Sequence, residues 1–148
     1  MNYTREEKKY LKQIRRISKF MYKISENFRQ HYYIFTQVRI LSISEYKSRI
    51  KKDFIVKFNL VYDDFLKIEV PKNFKLSYEY FSDGMKLYLE SSKLFQKFID
   101  SEHKEKTFEE ANDKDVELFK DKNYSNASSI MEKAADKIEL SYDIFIYS

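Results

Sequence analysis

Two histidines supply the only imidazole groups of this chain, and their sequence surroundings indicate no catalytic or metal site. Carboxylate-bridged di-iron sites in helical bundles need two Glu-x-x-His pairs that face the interior. This sequence offers one related spacing, Asp100-x-x-His103, beside a polar connection. His31 lies on the apolar face of a predicted helix. We expect a half-buried imidazole hydrogen-bonded to a neighbouring helix there, and the alternative is a pH-sensing or ligand-binding role.

Most other catalytic and cofactor-binding motifs are excluded by the scarcity of glycine and cysteine. The 148 residues include one Gly and no Cys, whereas a phosphate-binding loop needs several glycines so that backbone N–H groups can close on the anion. A nucleophile elbow needs glycines beside a strand, and thiol catalysis and thiolate metal sites need cysteine. The sequence therefore predicts a protein that is not an enzyme, with no cofactor, no catalytic residues and no metal ligands.

An acidic run, EEANDKDVE at 109–117, is the closest approach to a cation site. Calcium loops of the usual type need a glycine at their sharp turn and a terminal bidentate glutamate, and this run has no glycine. We expect a solvated helix face, and the alternative is divalent-cation binding.

Positive charge is concentrated at the start of the chain. Residues 1–52 hold 14 Lys and Arg against 4 Asp and Glu, whereas residues 53–148 hold 14 against 20. Many of the early basic residues repeat at intervals of four and three, offset by about 200° from the apolar series of the same predicted helix, so they should face water. The candidate partner-binding set, here called the basic face, comprises Lys8, Lys12, Arg15, Arg16, Lys19 and Lys23.

Three interpretations of the basic face stay open. It could keep the helix solvated, pair with an acidic surface of another protein, or track phosphates of nucleic acid or lipid headgroups. Nucleic-acid-binding domains of this size usually carry a larger positive excess and a recognisable reading element. Because Glu6, Glu7 and Glu26 interrupt the face and the rest of the chain is acidic, the sequence favours a protein partner.

Helical periodicity dominates the elements that would position these residues. One Gly and one Pro are too few for the turns of a sheet protein of this length. Apolar residues recur in fours and threes along the first and third predicted helices, and less regularly along the second and the last. The four series are Tyr10, Ile14, Ile17, Met21, Ile24, Phe28, His31, Phe35 and Val38; Tyr46, Ile50, Phe54, Val61, Phe65 and Ile68, with Phe58 beside them; Phe74, Tyr78, Phe81, Met85, Tyr88, Ser92, Phe95 and Ile99; and Phe108, Ala111, Leu118, Phe119, Ala127, Met131, Ala134, Ile138, Tyr142 and Phe145.

Local signals predict where the helices begin and end. Thr4 with Glu7, Ser42 with Glu45, and Thr107 with Glu110 have capping-box spacing. Asn73 is a candidate cap for the third helix, and the Val70-Pro71 step should end the second. Gly84 should weaken the third helix by about 1 kcal/mol relative to Ala. Residues 120–126 predict a break or kink in the last helix.

These signals predict a single all-α domain over residues 1–148. We expect an elongated antiparallel up-down four-helix bundle with coiled-coil-like apolar seams, its last helix broken near 120–126.

The stretch at 71–100, PKNFKLSYEYFSDGMKLYLESSKLFQKFID, resembles the small all-helical domains of exported lipoproteins from low-GC Gram-positive bacteria. The Val-Pro step, the helix that ends in Ile-Asp and the following Ala-bearing helix carry the resemblance. The family pattern includes a lipidation cysteine and a signal, which this sequence does not contain. The resemblance implies a helical bundle and no particular chemistry.

The sequence thus predicts a non-catalytic protein that binds a protein partner, for example a phage or mobile-element inhibitor of a host factor. The alternatives are a nucleic-acid-binding bundle that uses the basic first helix, and an exported cell-surface module. A homo-oligomer is compatible with the unequal charge. No apolar run approaches 18 residues, and the first residues are not a signal peptide. The prediction is therefore a cytoplasmic protein without a transmembrane segment, or an extracytoplasmic one if a signal has been removed.

Overall fold

The computed structural model describes residues 2–147, with side chains described for residues 2–143. All regular secondary structure in this range is helical, which confirms the all-α prediction. Phe145, the last predicted apolar position, lies outside the described side chains. The α-helices are α1 (Arg5–Tyr33), α2 (Ile43–Ile50), α3 (Lys57–Leu66), α4 (Lys75–Asp100), α5 (Glu105–Glu110), α6 (Lys114–Phe119) and α7 (Lys122–Tyr147). They are joined by π-helical segments at Ile34–Val38 and Lys51–Val56 and by a 3-10 turn at Lys72–Phe74.

The first helix begins and continues as predicted. Thr4 Oγ1 accepts from the backbone N–H of Glu7 and the Glu7 carboxylate accepts from the backbone N–H of Thr4, so the capping box is confirmed. From Tyr10 to Phe28 every member of the predicted apolar series is buried. The series ends earlier than predicted, because Val38 is 47% exposed.

The second predicted helix contains a π segment that explains its spacing. Its apolar residues Tyr46, Ile50, Phe54 and Phe58 are four apart at each step, which is wider than the 3.6 residues of an α-helical turn. The π segment Lys51–Val56 has more residues per turn and so keeps these side chains on one face of the helix. All four side chains are buried. The predicted capping box of this helix, Ser42 with Glu45, is also confirmed.

Helices α4 and α7 pack against each other through small residues at intervals of seven. Ser77, Gly84 and Ser91 on α4 meet Ser141, Ala134 and Ala127 on α7. Ser77 Oγ donates to the carbonyl of Ser141 at 3.0 Å, and Ser91 Oγ donates to that of Ala127 at 2.8 Å. A Cβ at Gly84 would lie 3.0 Å from the Ala134 carbonyl and 2.6 Å from Ile138 Cγ1. Gly84 is therefore required for the close approach of the helices.

Ring contacts and hydrogen bonds show that neighbouring helices run antiparallel. Phe65 on α3 contacts Phe81, and Phe54 on the preceding π segment contacts Phe95, so this stretch is antiparallel to α4. In the same way His31 pairs with Asp53 on the π segment, and Arg16 pairs with Asp64 on α3. Helix α1 is therefore antiparallel to this stretch.

Four boundary predictions are wrong or only partly right. Asn73 lies inside the 3-10 turn, and α4 begins without a side-chain cap. Thr107 lies inside α5, which begins after Lys104. Helix α3 ends at Leu66, before the Val70-Pro71 step. The predicted break narrows to residues 120–121, and α7 is continuous from Lys122.

The core is built mainly from aromatic side chains, as predicted from Phe28, Phe81 and Phe95, which are buried. Among the core residues that were not predicted are two large aromatic side chains. Phe98 is fully buried. Tyr124 is also fully buried, and its hydroxyl lies 2.7 Å from that of Tyr46. Burial raises the pKa of both tyrosines, so each hydroxyl stays protonated at neutral pH.

Candidate partner-binding face

The basic face of α1 lies on the surface, opposite the buried apolar series. All six of its side chains are exposed, which confirms the predicted orientation. They follow α1 from Lys8 to Lys23, about four turns, so the charge forms a strip about 22 Å long. Together with Tyr3 and Leu11, five of them border a shallow depression of about 580 Å³.

One intramolecular ion pair touches the basic face in the part of the chain that the structure describes. Arg16 lies 3.6 Å from the carboxylate of Asp64 on α3, and both side chains are largely exposed. Exposed ion pairs contribute only about 0–1 kcal/mol. The pair therefore contributes little to stability, and in the described residues the other five cations of the face form no ion pair.

Exposed apolar side chains flank the basic face on both sides. Tyr22 on α1 is 68% exposed. Phe20 is 36% exposed, on the side that faces α3. Leu60, one turn before Asp64 on α3, is 64% exposed. The basic face thus lies between exposed apolar side chains on its two sides.

His31 pairs with an acidic residue on a neighbouring helical segment, as predicted. Its Nε2 lies 2.7 Å from Asp53 Oδ2, and both side chains are mostly buried. Arg49 approaches the other ring nitrogen at 3.3 Å. Burial alone would raise the pKa of Asp53, but the hydrogen bond to His31 and the charge of Lys57 lower it overall. The pair joins α1 to the π segment and needs no ligand to explain it.

His103 pairs with Asp121 rather than with Asp100. Its Nε2 lies 2.9 Å from Asp121 Oδ2, while Asp121 Oδ1 accepts from the backbone N–H of Tyr124 in the first turn of α7. The imidazole also contacts the rings of Phe98 and Phe108. The arrangement holds the α4–α5 connection against the start of α7, which is a structural role.

The acidic run at 109–117 is not the continuous solvated helix face that was predicted. Residues 111–113 separate α5 from α6, and Asp113 caps α6 by accepting from the backbone N–H of Asp115. Lys114 within the run is buried, and its Nζ donates to the carbonyl of Leu41 and lies 4.5 Å from the centre of the Phe35 ring. Burial lowers the pKa of Lys114.

Within residues 2–143, whose side chains the structure describes, no three His, Asp or Glu side chains lie close enough to hold a metal ion. No helix in the same range is long and apolar enough to cross a bilayer.

Comparison with family models, with curated protein sequences and with solved structures finds no match for this chain. The resemblance to exported lipoprotein domains therefore stays a prediction.

The surface between α1 and α7 is a feature that the apolar periodicity of the sequence did not predict. A second series on α1, adjacent to the apolar one, lines the gap between α1 and α7; its members are Leu11, Arg15, Ser18, Tyr22, Ser25, Arg29 and Tyr32. The four-three spacing of this series was visible in the sequence. Apolar periodicity does not detect this series, because its members are a mixture of small, polar and aromatic residues.

Proposed function

We propose that this protein is a non-catalytic helical scaffold that binds an acidic surface of another protein through the basic face of α1. In this proposal α1, the α2–α3 stretch, α4 and α7 form one elongated antiparallel up-down four-helix bundle. The observation that carries the proposal is the exposed strip of six cations flanked by exposed Phe20, Tyr22 and Leu60.

Electrostatics support a protein partner over a polyanion. Complementary charge at a protein interface mainly increases the association rate and selects the partner. Carboxylates are exposed on neighbouring helices, including Asp63 and Asp64 on α3 and Glu139 on α7. A long nucleic acid that followed α1 would pass near these charges and be repelled, whereas a folded protein of mixed charge can be oriented by them.

Nucleic-acid binding by the same face is the second candidate. Exposed Tyr22 beside the cations supports it, because an aromatic ring can stack on an unpaired base. Affinity would then fall steeply with salt, since each neutralised phosphate releases counterions.

Charge reversal on two different helices tests the proposal. The variant Arg15→Glu/Arg16→Glu/Lys19→Glu alters the basic face, and the matched control Lys86→Glu/Lys93→Glu/Lys97→Glu alters exposed positions of α4. Each is used as bait in native lysate, with the captured proteins quantified by mass spectrometry and folding checked by circular dichroism. We expect the first variant alone to lose a protein that the wild type captures.

The wild type and the two charge-reversal variants are also mixed with duplex and single-stranded nucleic acid at physiological salt. We expect no mobility shift by the wild type. Tight, salt-sensitive binding that the α1 variant loses would support the second candidate instead. Unchanged capture by the α1 variant would leave the basic face as a solvated surface and refute the proposal.

A further inference from the structure

The gap between α1 and α7 forms a groove beside residues 10–32 of α1 and 124–142 of α7. In the described residues, no hydrogen bond, ion pair or ring contact joins α1 to α7. Three cavities occupy the gap, with volumes of about 190, 500 and 320 Å³ in order along α1, and the middle one is the most open to solvent. The first is lined by Leu11 and Tyr142, and the last by Tyr32 and Ala135.

The cavities are spaced regularly. The first lies beside residues 10–15 of α1, the middle one beside Ser18 and Tyr22, and the last beside residues 25–32. Adjacent cavities are therefore about two helical turns apart, or roughly 11 Å, and the groove is about 32 Å long. A helix lying in the groove would place side chains at i, i+7 and i+14 over the three cavities in turn.

The floor and walls of the groove suit the side chains of such a helix. Phe28 and Tyr88 form the floor of the last cavity, and Met131 and Ala135 form its α7 wall. The hydroxyl of Tyr88, a buried residue, lies 3.4 Å from Ser25 Oγ at this cavity. In the middle cavity Ser18 Oγ is buried without a hydrogen-bond partner. An apolar lining with a few polar groups is typical of sites that bind the apolar face of a helix.

The two edges of the groove carry opposite charge. The α1 edge bears cations of the basic face, of which Arg15 and Lys19 line the cavities. The exposed α7 edge bears carboxylates, which are Glu132, Asp136, Glu139 and Asp143. Lys19 and Glu139 line the same cavity without forming an ion pair, so both charges can be paired by a bound molecule.

From this geometry we infer that the groove receives an amphipathic helix of the protein partner, with apolar anchors at i, i+7 and i+14 and an acidic flank against α1. The inference rests on the proposed function and specifies what the partner presents to α1. The basic face attracts the acidic flank, and the groove buries the apolar anchors.

A designed peptide tests the groove directly. The probe is a fluorescently labelled helical peptide of about 22 residues, which matches the groove length, with Leu or Phe at the three anchor positions, Glu on one flank and Lys on the other. A second peptide keeps every charge and has Gln at the anchors. Affinity is measured by anisotropy for the wild type and for Ala135→Trp, which fills the last cavity. The matched control is Ser129→Trp, an exposed position on the same helix.

We expect the anchored peptide to bind the wild type and the Ser129→Trp variant alike, and Ala135→Trp to weaken binding by about tenfold or more, equivalent to ~1.4 kcal/mol. The Gln peptide should bind weakly to all three proteins. Equal affinity of the two peptides, or undiminished binding to Ala135→Trp, would overturn the groove assignment. Self-association in sedimentation that Ala135→Trp alone abolishes would also overturn it, because a second copy would then be the occupant.

The test separates this inference from the proposed function. If Ala135→Trp captures the same protein from lysate as the wild type while Lys8→Glu/Lys12→Glu does not, the groove assignment fails and the basic face remains the binding surface.

Discussion

Gly84 shows how the role of a single residue depends on the helix that faces it. Helix propensity alone predicts that Gly84→Ala stabilises α4 by about 1 kcal/mol. In the structure the new methyl would lie 3.0 Å from the Ala134 carbonyl, and α7 would have to move away. Overpacking of this kind costs about 1–3 kcal/mol.

We therefore expect Gly84→Ala to lower the free energy of unfolding, measured by urea denaturation. The neighbouring exposed position supplies a control, since Asp83→Ala should be neutral or slightly stabilising. A more stable Gly84→Ala protein would mean that α4 and α7 are not in close contact.

At the scale of elements, the start of α2 depends on a residue distant in sequence. The Glu105 carboxylate accepts from the backbone N–H groups of Ile43 and Ser44 and from Ser44 Oγ. Ser42 satisfies the next donor, that of Glu45. Burial raises the pKa of Glu105, but the hydrogen bonds from Ser44 and Ile43 outweigh it and lower the pKa below the ordinary 4.5. Helix α2 is thus tied to α5 by an ionised side chain.

This contact predicts a specific response to acid. Between the folded pKa of Glu105 and the ordinary 4.5, the unfolded chain binds more protons, so stability rises with pH. The contribution is complete above 4.5 and is lost as pH falls through the folded pKa. We expect Glu105→Gln to lower Tm near neutral pH and to reduce the dependence of Tm on pH in the acid range, as followed by circular dichroism. Glu102→Gln, at an exposed position, should retain the wild-type profile; an equal profile for Glu105→Gln would refute the role of this contact.

Element positions were largely predictable from the sequence, and their exact ends less so. The capping boxes at Thr4 and Ser42 are local signals, and both are confirmed. The Thr107 and Asn73 signals failed because other contacts decide those ends. Glu105, the first residue of α5, accepts from the backbone N–H of Ile43 at the start of α2. Asn73 lies inside the 3-10 turn that precedes α4. Tertiary contacts of this kind leave no periodic trace in one sequence.

One part of the candidate site, the basic face, could be predicted from the sequence, and the other part, the groove, could not. The orientation of the basic face follows from its offset to the apolar series, which periodicity reveals. The groove could not be predicted, because it depends on how far α1 and α7 lie apart. Small residues bring α7 close to α4, and periodicity does not show which helices pair in this way.

At the scale of the whole molecule, Phe95 connects the packing of the long helices. Its ring contacts Phe28 on α1, Phe54 on the π segment and Tyr124 on α7. We expect Phe95→Ala to cost about 3–5 kcal/mol, a large part of the roughly 5–15 kcal/mol that stabilises a typical domain. Chemical denaturation measures this loss, and Leu76→Ala on the exposed side of α4 should cost far less. Similar losses for the two variants would show that the helices do not share this core.

The most direct test of the central claim is to map which face of the molecule touches a partner. A photo-crosslinking amino acid is placed at Lys12 on the basic face or at Lys93 on α4, both exposed, and irradiated in native lysate. We expect a specific protein adduct from position 12 that position 93 does not form and that Lys8→Glu prevents. Equal adducts from both positions, or a nucleic-acid adduct from position 12, would contradict it.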